Sequence, residues 1–546
     1  MEPDDRNGVI WWALLPAILA ALGYALLPVQ SWDYWWHVTI GRLIADTGAV
    51  PDRALFLYTM ESDAPSVLQP WASQWFLYVI HDTFGLRANL LLRGVVIGAS
   101  FGGATWWGAR RSGRPMTAGL VGVAGLVLAF PFLDLRTSLF ALPLFVMVVG
   151  VAEAVGDGAL AGGWIWSIPF VALVWANLHG SFLLPAVVCA TYAVSGLVER
   201  SRGAAESGTR PRRWAGCAAL SLVAPVVNPN GVDVYRYVYD VATDPVVQST
   251  VTEWFPTTPF FPTFAGPIFY LILVAAALAL WEQRDELVAA DVILIVGFGI
   301  LAATQARGLV WFGLLLPPAL APYLRLQTTR WRPSDRTATA GKSLAALGGA
   351  VVLALQPVWP WWSSVVTSYR AVPVRDDAPY RGAVPSEAPV EAIDALTSDG
   401  SETLPRIFHD ERYAGFLLFH LLDRRVERIV FVDQRVELPP VEVWRQYFEA
   451  SRGENWEEVF EIYGVDAAVV HRRRQSDLVD ALAESEAWQA VARNEATVTY
   501  VRSRRELTRA VRRPIPRADR CQPASRSRRP GRADGSDDGR GRFHIR

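Results

Sequence analysis

The chain has 546 residues, too many for one ordinary domain, and 51% of them are hydrophobic, with 23 tryptophans among them. A formal net charge of -1 supplies no field for a polyanion, so nucleic acid is not an expected partner. The three cysteines, two in apolar runs and one in a polar tail, spell neither a disulfide framework nor a zinc set.

The first apolar run begins near Val9, after the acidic start MEPDDRNG. It lacks a basic n-region and a clear small-residue cleavage site, so it reads as a retained helix and not a signal peptide. Directly after it comes SWDYWWHVTIGRLIADTGAVP, residues 31 to 51. Asp33 stands there among Trp32, Tyr34, Trp35 and Trp36, with His37 just beyond. An aromatic belt at a membrane surface would explain the rings. A carboxylate that takes a proton from a hydroxyl, beside rings that stack on a sugar, would explain the rings and the charge together. His37 would then orient a ligand, although a lone histidine in such company is more often an interfacial polar group. Asp52 follows Pro51 in the turn-like VPDR, where turn formation and a chemical role are equally open.

Spans of roughly 20 apolar residues are needed to cross a bilayer. Runs starting near Val9, Leu86, Thr117, Ser138, Trp164, Phe182, Trp214, Phe264, Val288, Gly308 and Ser343 predict about eleven, the Val288 run being the shortest. Counting from a cytoplasmic amino terminus, the arginine-rich stretches 108–114, 199–214 and 325–342 all fall on the cytoplasmic side, as positively charged loops should. The carboxy terminus is then outside. The opposite face receives the loop from Gln30 to Gly85, the turn at Asp134 and Arg136, the WANLHGSF hairpin, the loop from Asn228 to Pro262, and the turn at Arg307.

Each of these outer segments carries a polar residue at a membrane edge, which makes a shared site an expectation. Arg136 and Arg307 either snorkel to headgroups or pair with phosphate oxygens through their guanidinium forks. In WANLHGSF a tight turn accounts for Asn177 and Gly180, leaving His179 as the informative residue. Glu253, in TEWFP, is a second candidate carboxylate, with a solvated loop glutamate as the plainer reading. VNPNG at 227–231 is a strong turn.

From about Ser363 the composition changes. PRIFHD, RIVFVDQR, DAAVVHR and TVTYVRS read as short strands, and EAPVEAIDAL, ENWEEVFEIYG and SDLVDALAES as amphipathic helices. Three units follow: a membrane part over 1–362, an outer α/β domain over 363–504, and an Arg-rich tail over 505–546 without periodicity, expected to be disordered. Asp410, Asp433 and Arg435 of the outer domain form no arrangement that forces a reaction. There is no Walker loop, dinucleotide fingerprint, HExxH, CxxC or GxSxG. No DxD occurs in the first outer loop, so a tightly held divalent metal is not indicated and cofactors stay open.

Taken in order, DYWWHVTIGRLIADTGAVP, WASQW, DLRTSLF, WANLHGSF, NPNG, TEW and ARGLVWF resemble the bacterial membrane proteins grouped with GT-C fold glycosyltransferases. That group includes protein O-mannosyltransferases and lipid A aminoarabinose transferases. IFHDERYAGFLLFHL, RIVFVDQR and WEEVFEIYGVDAAVV extend the resemblance to about Tyr500. The resemblance implies a mainly α, polytopic GT-C-like bundle with a C-terminal extracytoplasmic α/β domain. It also implies a polyprenyl-phosphate-linked sugar as donor and catalysis at the outer face of the plasma membrane. The base in such enzymes is a carboxylate of the first outer loop, the place Asp33 occupies. Many of them use a pair of acids or a metal, whereas only Asp33 stands in this loop's aromatic setting. The expected roles are therefore Asp33 and Glu253 in catalysis, with Trp35, Trp36, His37, Arg136, Asn177, His179 and Arg307 binding substrate. A lipid-linked saccharide transporter and a non-catalytic assembly protein are the alternatives, and the oligomeric state is not fixed by sequence.

Overall fold

A computed structural model describes residues 3–202, 210–261, 263–326, 375, 380, 382–398, 404–422 and 426–503. The run near Ser343 and the Arg-rich tail lie outside these residues. Fourteen α-helices precede residue 327 in the described chain. They are α1 (Pro3–Leu26), α2 (Asp33–Thr47), α3 (Trp71–Phe84), α4 (Leu86–Ser112), α5 (Pro115–Ala129), α6 (Ala141–Gly156) and α7 (Ser167–Ala176). Then come α8 (Leu184–Ser201), α9 (Pro211–Val223), α10 (Asp233–Thr243), α11 (Pro245–Thr250), α12 (Ala265–Glu282), α13 (Ala289–Thr304) and α14 (Gly308–Leu320).

Helical stretches at Pro115–Phe132, Thr137–Gly156 and Ala265–Glu282 are long and apolar enough to cross a membrane, and the apolar helices at Ile10–Tyr24, Gly162–Ala176, Ala289–Thr304 and Gly308–Leu320 are shorter. Of the about eleven expected runs, the ten inside the described residues all form helices, but only three meet the length and apolarity of a span. Charge is one reason: α4 carries Arg87, Arg93, Arg110 and Arg111 along its length. Arg93 is 1% exposed and folds back on the end of α1, donating to Pro28 O at 3.1 Å and to Asp134 Oδ1 at 2.7 Å. A buried guanidinium saturated by carbonyls and one carboxylate holds the α1–α4 packing together.

Beyond the helices is a four-stranded sheet, β1 (Ile407–His409), β2 (Ala467–His471), β3 (Trp488–Arg493) and β4 (Thr497–Arg502), in the order β1-β2-β4-β3. β1 pairs parallel to β2, and the other two pairings are antiparallel. RIVFVDQR was expected as a strand; instead Val430 makes single bridges to Ile407 and Leu57, because its neighbours leave the sheet to reach the first outer loop. AWQAVARN supplies the edge strand β3, whose weak alternation gave no sequence signal.

The first outer loop and this sheet module share one core. Trp36, Ile40 and Ile44 of α2, with Phe56, Leu57 and Leu68, pack on Tyr413, Leu417, Leu418 and Val430. The approach is close at Gly415, where a Cβ would stand 2.5 Å from the Trp36 nitrogen, so a side chain would push the helix Ala414–Leu421 off α2. Arg435 seals the seam: it pairs with Asp433 at 2.5 Å, donates to Ser66 Oγ at 2.9 Å and lies 4.5 Å over the Trp36 ring. The module is thus fixed over one end of the helical part, where it closes one side of a cavity.

Candidate functional site

The cavity holds about 720 Å³ and lies between the helix ends and the sheet module. Its polar side is assembled from four separate segments at and between helix ends. Asp33 is the first residue of α2, a helix start that suits a carboxylate. One turn later on the same face comes His37. Arg136 sits in extended backbone between two short 3₁₀ turns, Phe130–Phe132 and Thr137–Phe140. Glu253 lies in the 3₁₀ turn Thr252–Trp254, and Arg307 immediately precedes α14. Backbone bonds lash the last two segments together: Arg307 N donates to Glu253 O at 3.0 Å and Ala306 N to Phe255 O at 2.9 Å.

Arg136 is the centre of this constellation. Its Nε lies 3.0 Å from Asp33 Oδ2 and donates to Ser31 Oγ at 2.6 Å, while Nη1 is bonded to Glu253 Oε1. Burial works against the charged guanidinium, but Asp33 and Glu253 outweigh it and push its pKa up. Arg307 differs. Its guanidinium is 3.8 Å from Glu253 Oε2, stacks 4.5 Å over Trp254 and makes no side-chain hydrogen bond among the described residues. Burial lowers its pKa, partly offset by Glu253, yet an arginine stays protonated at any working pH. Arg136 is therefore engaged with protein carboxylates by hydrogen bonds, whereas Arg307 meets Glu253 only at 3.8 Å.

Both histidines of the cavity are held neutral. Burial drives His37 down to about 4, against the pull of Asp33, and drives His179 down to about 3 with help from Arg307. From the module side, Glu411, Arg412, Asp433, Gln434, Glu437 and Trp444 line the opposite wall. Burial raises the Glu437 carboxyl to about 7. Leu133, Leu139, Leu142, Leu183, Leu184 and Val310 give the cavity an apolar flank.

Of the residues singled out in the sequence, Asp33, His37, Arg136, His179, Glu253 and Arg307 all line this one cavity. Trp35, Trp36 and Asn177 do not. Trp35 and Trp36 are each 2% exposed, Trp35 among His81, Phe416, Phe419 and His420, Trp36 beneath Arg435 and against Phe56. The reason is periodicity: DYWWH begins a helix, so successive rings turn about 100° apart and only positions 33 and 37 share the cavity face. The tryptophans that do line the cavity are Trp32, Trp254, Trp311 and Trp444. Asn177 is a clasp: its Oδ1 accepts from Trp71 Nε1 at 2.7 Å and from Asn228 Nδ2 at 3.2 Å, tying WASQW, WANLHGSF and NPNG to one another. Asp52 is exposed, 3.9 Å from Arg53, and its carbonyl accepts from Ser66 N beside the Arg53–Pro65 bridge.

Sequence reasoning missed Ser31, Tyr237, Glu411 and Glu437 as cavity residues. Tyr237 and Val238, neighbours on the amphipathic helix α10, carried a signal that was readable. The outer-domain carboxylates carried none, since only the fold brings them over the helix ends. Among the described residues no group of three or more His, Cys, Asp or Glu could hold a metal ion. The gap between the Asp33 and Glu253 carboxylates is spanned by the Arg136 guanidinium, so this donor set, as arranged, does not fit a divalent ion.

No protein-family profile and no curated protein matches the chain. Solved structures do. The archaeal oligosaccharyltransferase AglB from Archaeoglobus fulgidus, in complex with an inhibitory peptide and a dolichol-phosphate, superposes with a TM-score of 0.50 at 12% identity, over 91% of this chain and 74% of that one. ArnT from Cupriavidus metallidurans, in the apo state, gives a TM-score of 0.50 at 14% identity, over 90% of this chain and 97% of that one. Both have the GT-C fold, and the likeness extends to the architecture seen here: a helical part with a smaller C-terminal sheet module.

Proposed function

We propose that this protein is a multi-pass membrane glycosyltransferase that moves a sugar from a polyprenyl-phosphate donor to an acceptor on the extracytoplasmic face. The observation that carries the reading is the convergence of Asp33, Arg136, Glu253 and Arg307 from four outer segments in one cavity with an apolar flank. A lipid-linked phosphate needs such a cavity: a cationic point for the headgroup and apolar surface for the chain.

In this mechanism Asp33 takes the proton of the acceptor hydroxyl as that oxygen attacks the anomeric carbon. The glycosidic C–O bond to phosphate breaks, and the leaving phosphate carries the negative charge away. Arg307, stacked on Trp254, stabilises that charge where it develops. Arg136 is a positioning residue that fixes both carboxylates, and Glu253 in turn orients Arg307. The sugar rests on the lining rings Trp32 and Trp254, not on Trp35 and Trp36. The bundle of about eleven spans, the cytoplasmic amino terminus and the outer sheet module in the plasma membrane belong to the same proposal. So does the division at residues 362 and 504.

The test is transfer from a panel of polyprenyl-phosphate sugars by the protein in nanodiscs. Sugar release dependent on an added acceptor supports a transferase. Donor binding without release, for every acceptor tried, would favour the assembly or transport readings.

A further inference from the structure

The two cavity histidines have their tautomers set by the protein, and both are set the same way. His179 Nδ1 accepts from the Ser181 backbone N–H at 3.1 Å, and the Ser181 hydroxyl stands 2.7 Å from the same nitrogen. A backbone N–H can only donate, so His179 Nδ1 carries a lone pair and the ring proton is on Nε2. The Ser181 hydroxyl is held in turn, because its oxygen accepts from Trp175 Nε1 at 3.2 Å.

His37 has a parallel partner. Gln74 Nε2 stands 3.3 Å from His37 Nδ1 and donates to it, which again leaves the ring proton on Nε2. Gln74 is buried, and its Oε1 has no partner. Turning the amide over would give Oε1 a donor but strand a two-hydrogen amino group. A buried carbonyl without a donor is the less costly orphan of the two. The position of Gln74 is itself fixed, since α2 and α3 meet at Gly41, where any side chain would strike the Gln74 carbonyl. Neither His37 Nε2 nor His179 Nε2 has a hydrogen-bond partner among the described residues, and neither is sealed from the cavity that both rings line.

We propose that His37 and His179 form a pair of neutral N–H donors that hydrogen-bonds the phosphate oxygens of the lipid-linked donor, beside Arg307. This rests on the transferase reading and assigns the two imidazoles a job in it. They bind an anion by directed donors without adding charge beside the Asp33–Arg136–Glu253–Arg307 cluster, whose two acids and two bases cancel. Burial keeps both rings neutral, so their donors persist across the working pH range. On transfer they follow the charge that moves onto the departing phosphate.

The experiment is ¹⁵N-histidine NMR of the full chain in nanodiscs, titrated with a polyprenyl monophosphate, beside phosphate binding by His37 and His179 variants. The expected spectrum shows both rings as Nε2–H tautomers, with both Nε2 resonances shifting on phosphate addition. His179→Phe and His37→Phe should each weaken phosphate binding about tenfold, or about 1.4 kcal/mol. His179→Gln and His37→Gln, which keep an N–H donor at similar reach, should recover part of that loss. An Nδ1–H tautomer at either ring, or Nε2 resonances that phosphate does not move, overturns the proposal. Sugar turnover with unmoved resonances would reject the imidazole pair and keep the transferase. Shifted resonances with no turnover of any donor would do the reverse.

Discussion

Arg136 is the residue whose removal the geometry makes most legible. Its guanidinium joins Asp33, 3.0 Å away, to Glu253 and to Ser31 Oγ at 2.6 Å. Two unit charges at such a spacing attract by about 5 kcal/mol at an effective dielectric near 20, before solvation is counted. The Asp33 side chain is 33% exposed, so water takes back much of that, and a net coupling of about 1–3 kcal/mol remains. Deleting one partner is not equivalent to deleting the other. Asp33→Asn leaves Arg136 with Glu253 and should cost about 1–2 kcal/mol. Arg136→Gln leaves two carboxylates facing one cavity without their shared cation and should cost about 2–4 kcal/mol. Equilibrium unfolding of both single variants and the double variant in nanodiscs measures the coupling directly. A coupling within about 0.5 kcal/mol of zero, or Asp33→Asn proving the costlier single change, would refute the bridged arrangement.

Other expectations follow from the same structure. Gly415→Val should destabilise the protein by about 2–4 kcal/mol and make the sheet module more sensitive to protease, because the new side chain meets the Trp36 backbone; a neutral result would mean the seam is not packed as described. Arg435→Ala should cost about 3–5 kcal/mol in thermal unfolding by stranding the buried Asp433 carboxylate, with Asp433→Asn in the same background restoring part of the loss. Asn177→Ala should cost about 1–3 kcal/mol, since it strips partners from Trp71 and Asn228; a loss of turnover with unchanged stability would instead give Asn177 a direct role. For Glu437 the folded pKa is raised from 4.5 to about 7, so the folded state holds the proton more tightly than the unfolded chain. Its contribution to stability is full below pH 4.5 and is lost as pH rises through about 7, and Glu437→Gln should flatten stability over that window in a pH series of unfolding curves.

The helices, and the meeting of polar residues on one face of them, were legible because apolar run length and arginine placement are local signals. That Asp33, His37, Arg136, His179, Glu253 and Arg307 line one cavity was foreshadowed by polar residues recurring at the ends of apolar runs and in the loops between them. The local density of WDYWWH misled about the rings, because side-chain direction in a helix changes by about 100° per residue and adjacent tryptophans cannot share a face. Asn177 looked like binding chemistry and is a clasp, since an amide at a tight turn serves either purpose. The opposite wall was hidden: Glu411 and Glu437 reach the cavity only because Trp36, Gly415 and Arg435 lock the module onto α2. Contacts across nearly four hundred residues leave no mark in a local pattern. The same distance explains why RIVFVDQR, which reads as a strand, spends its bridges on Leu57 and Ile407.

The measurement that bears most directly on the central claim is turnover of a polyprenyl-phosphate sugar by wild type and Asp33→Asn in nanodiscs, with donor binding measured on the same samples. Donor binding retained within a few-fold and sugar transfer lowered by about 10²–10⁴-fold is the predicted result, the size expected for loss of a positioned proton acceptor. Full transfer by Asp33→Asn would contradict the assignment of Asp33 as the base.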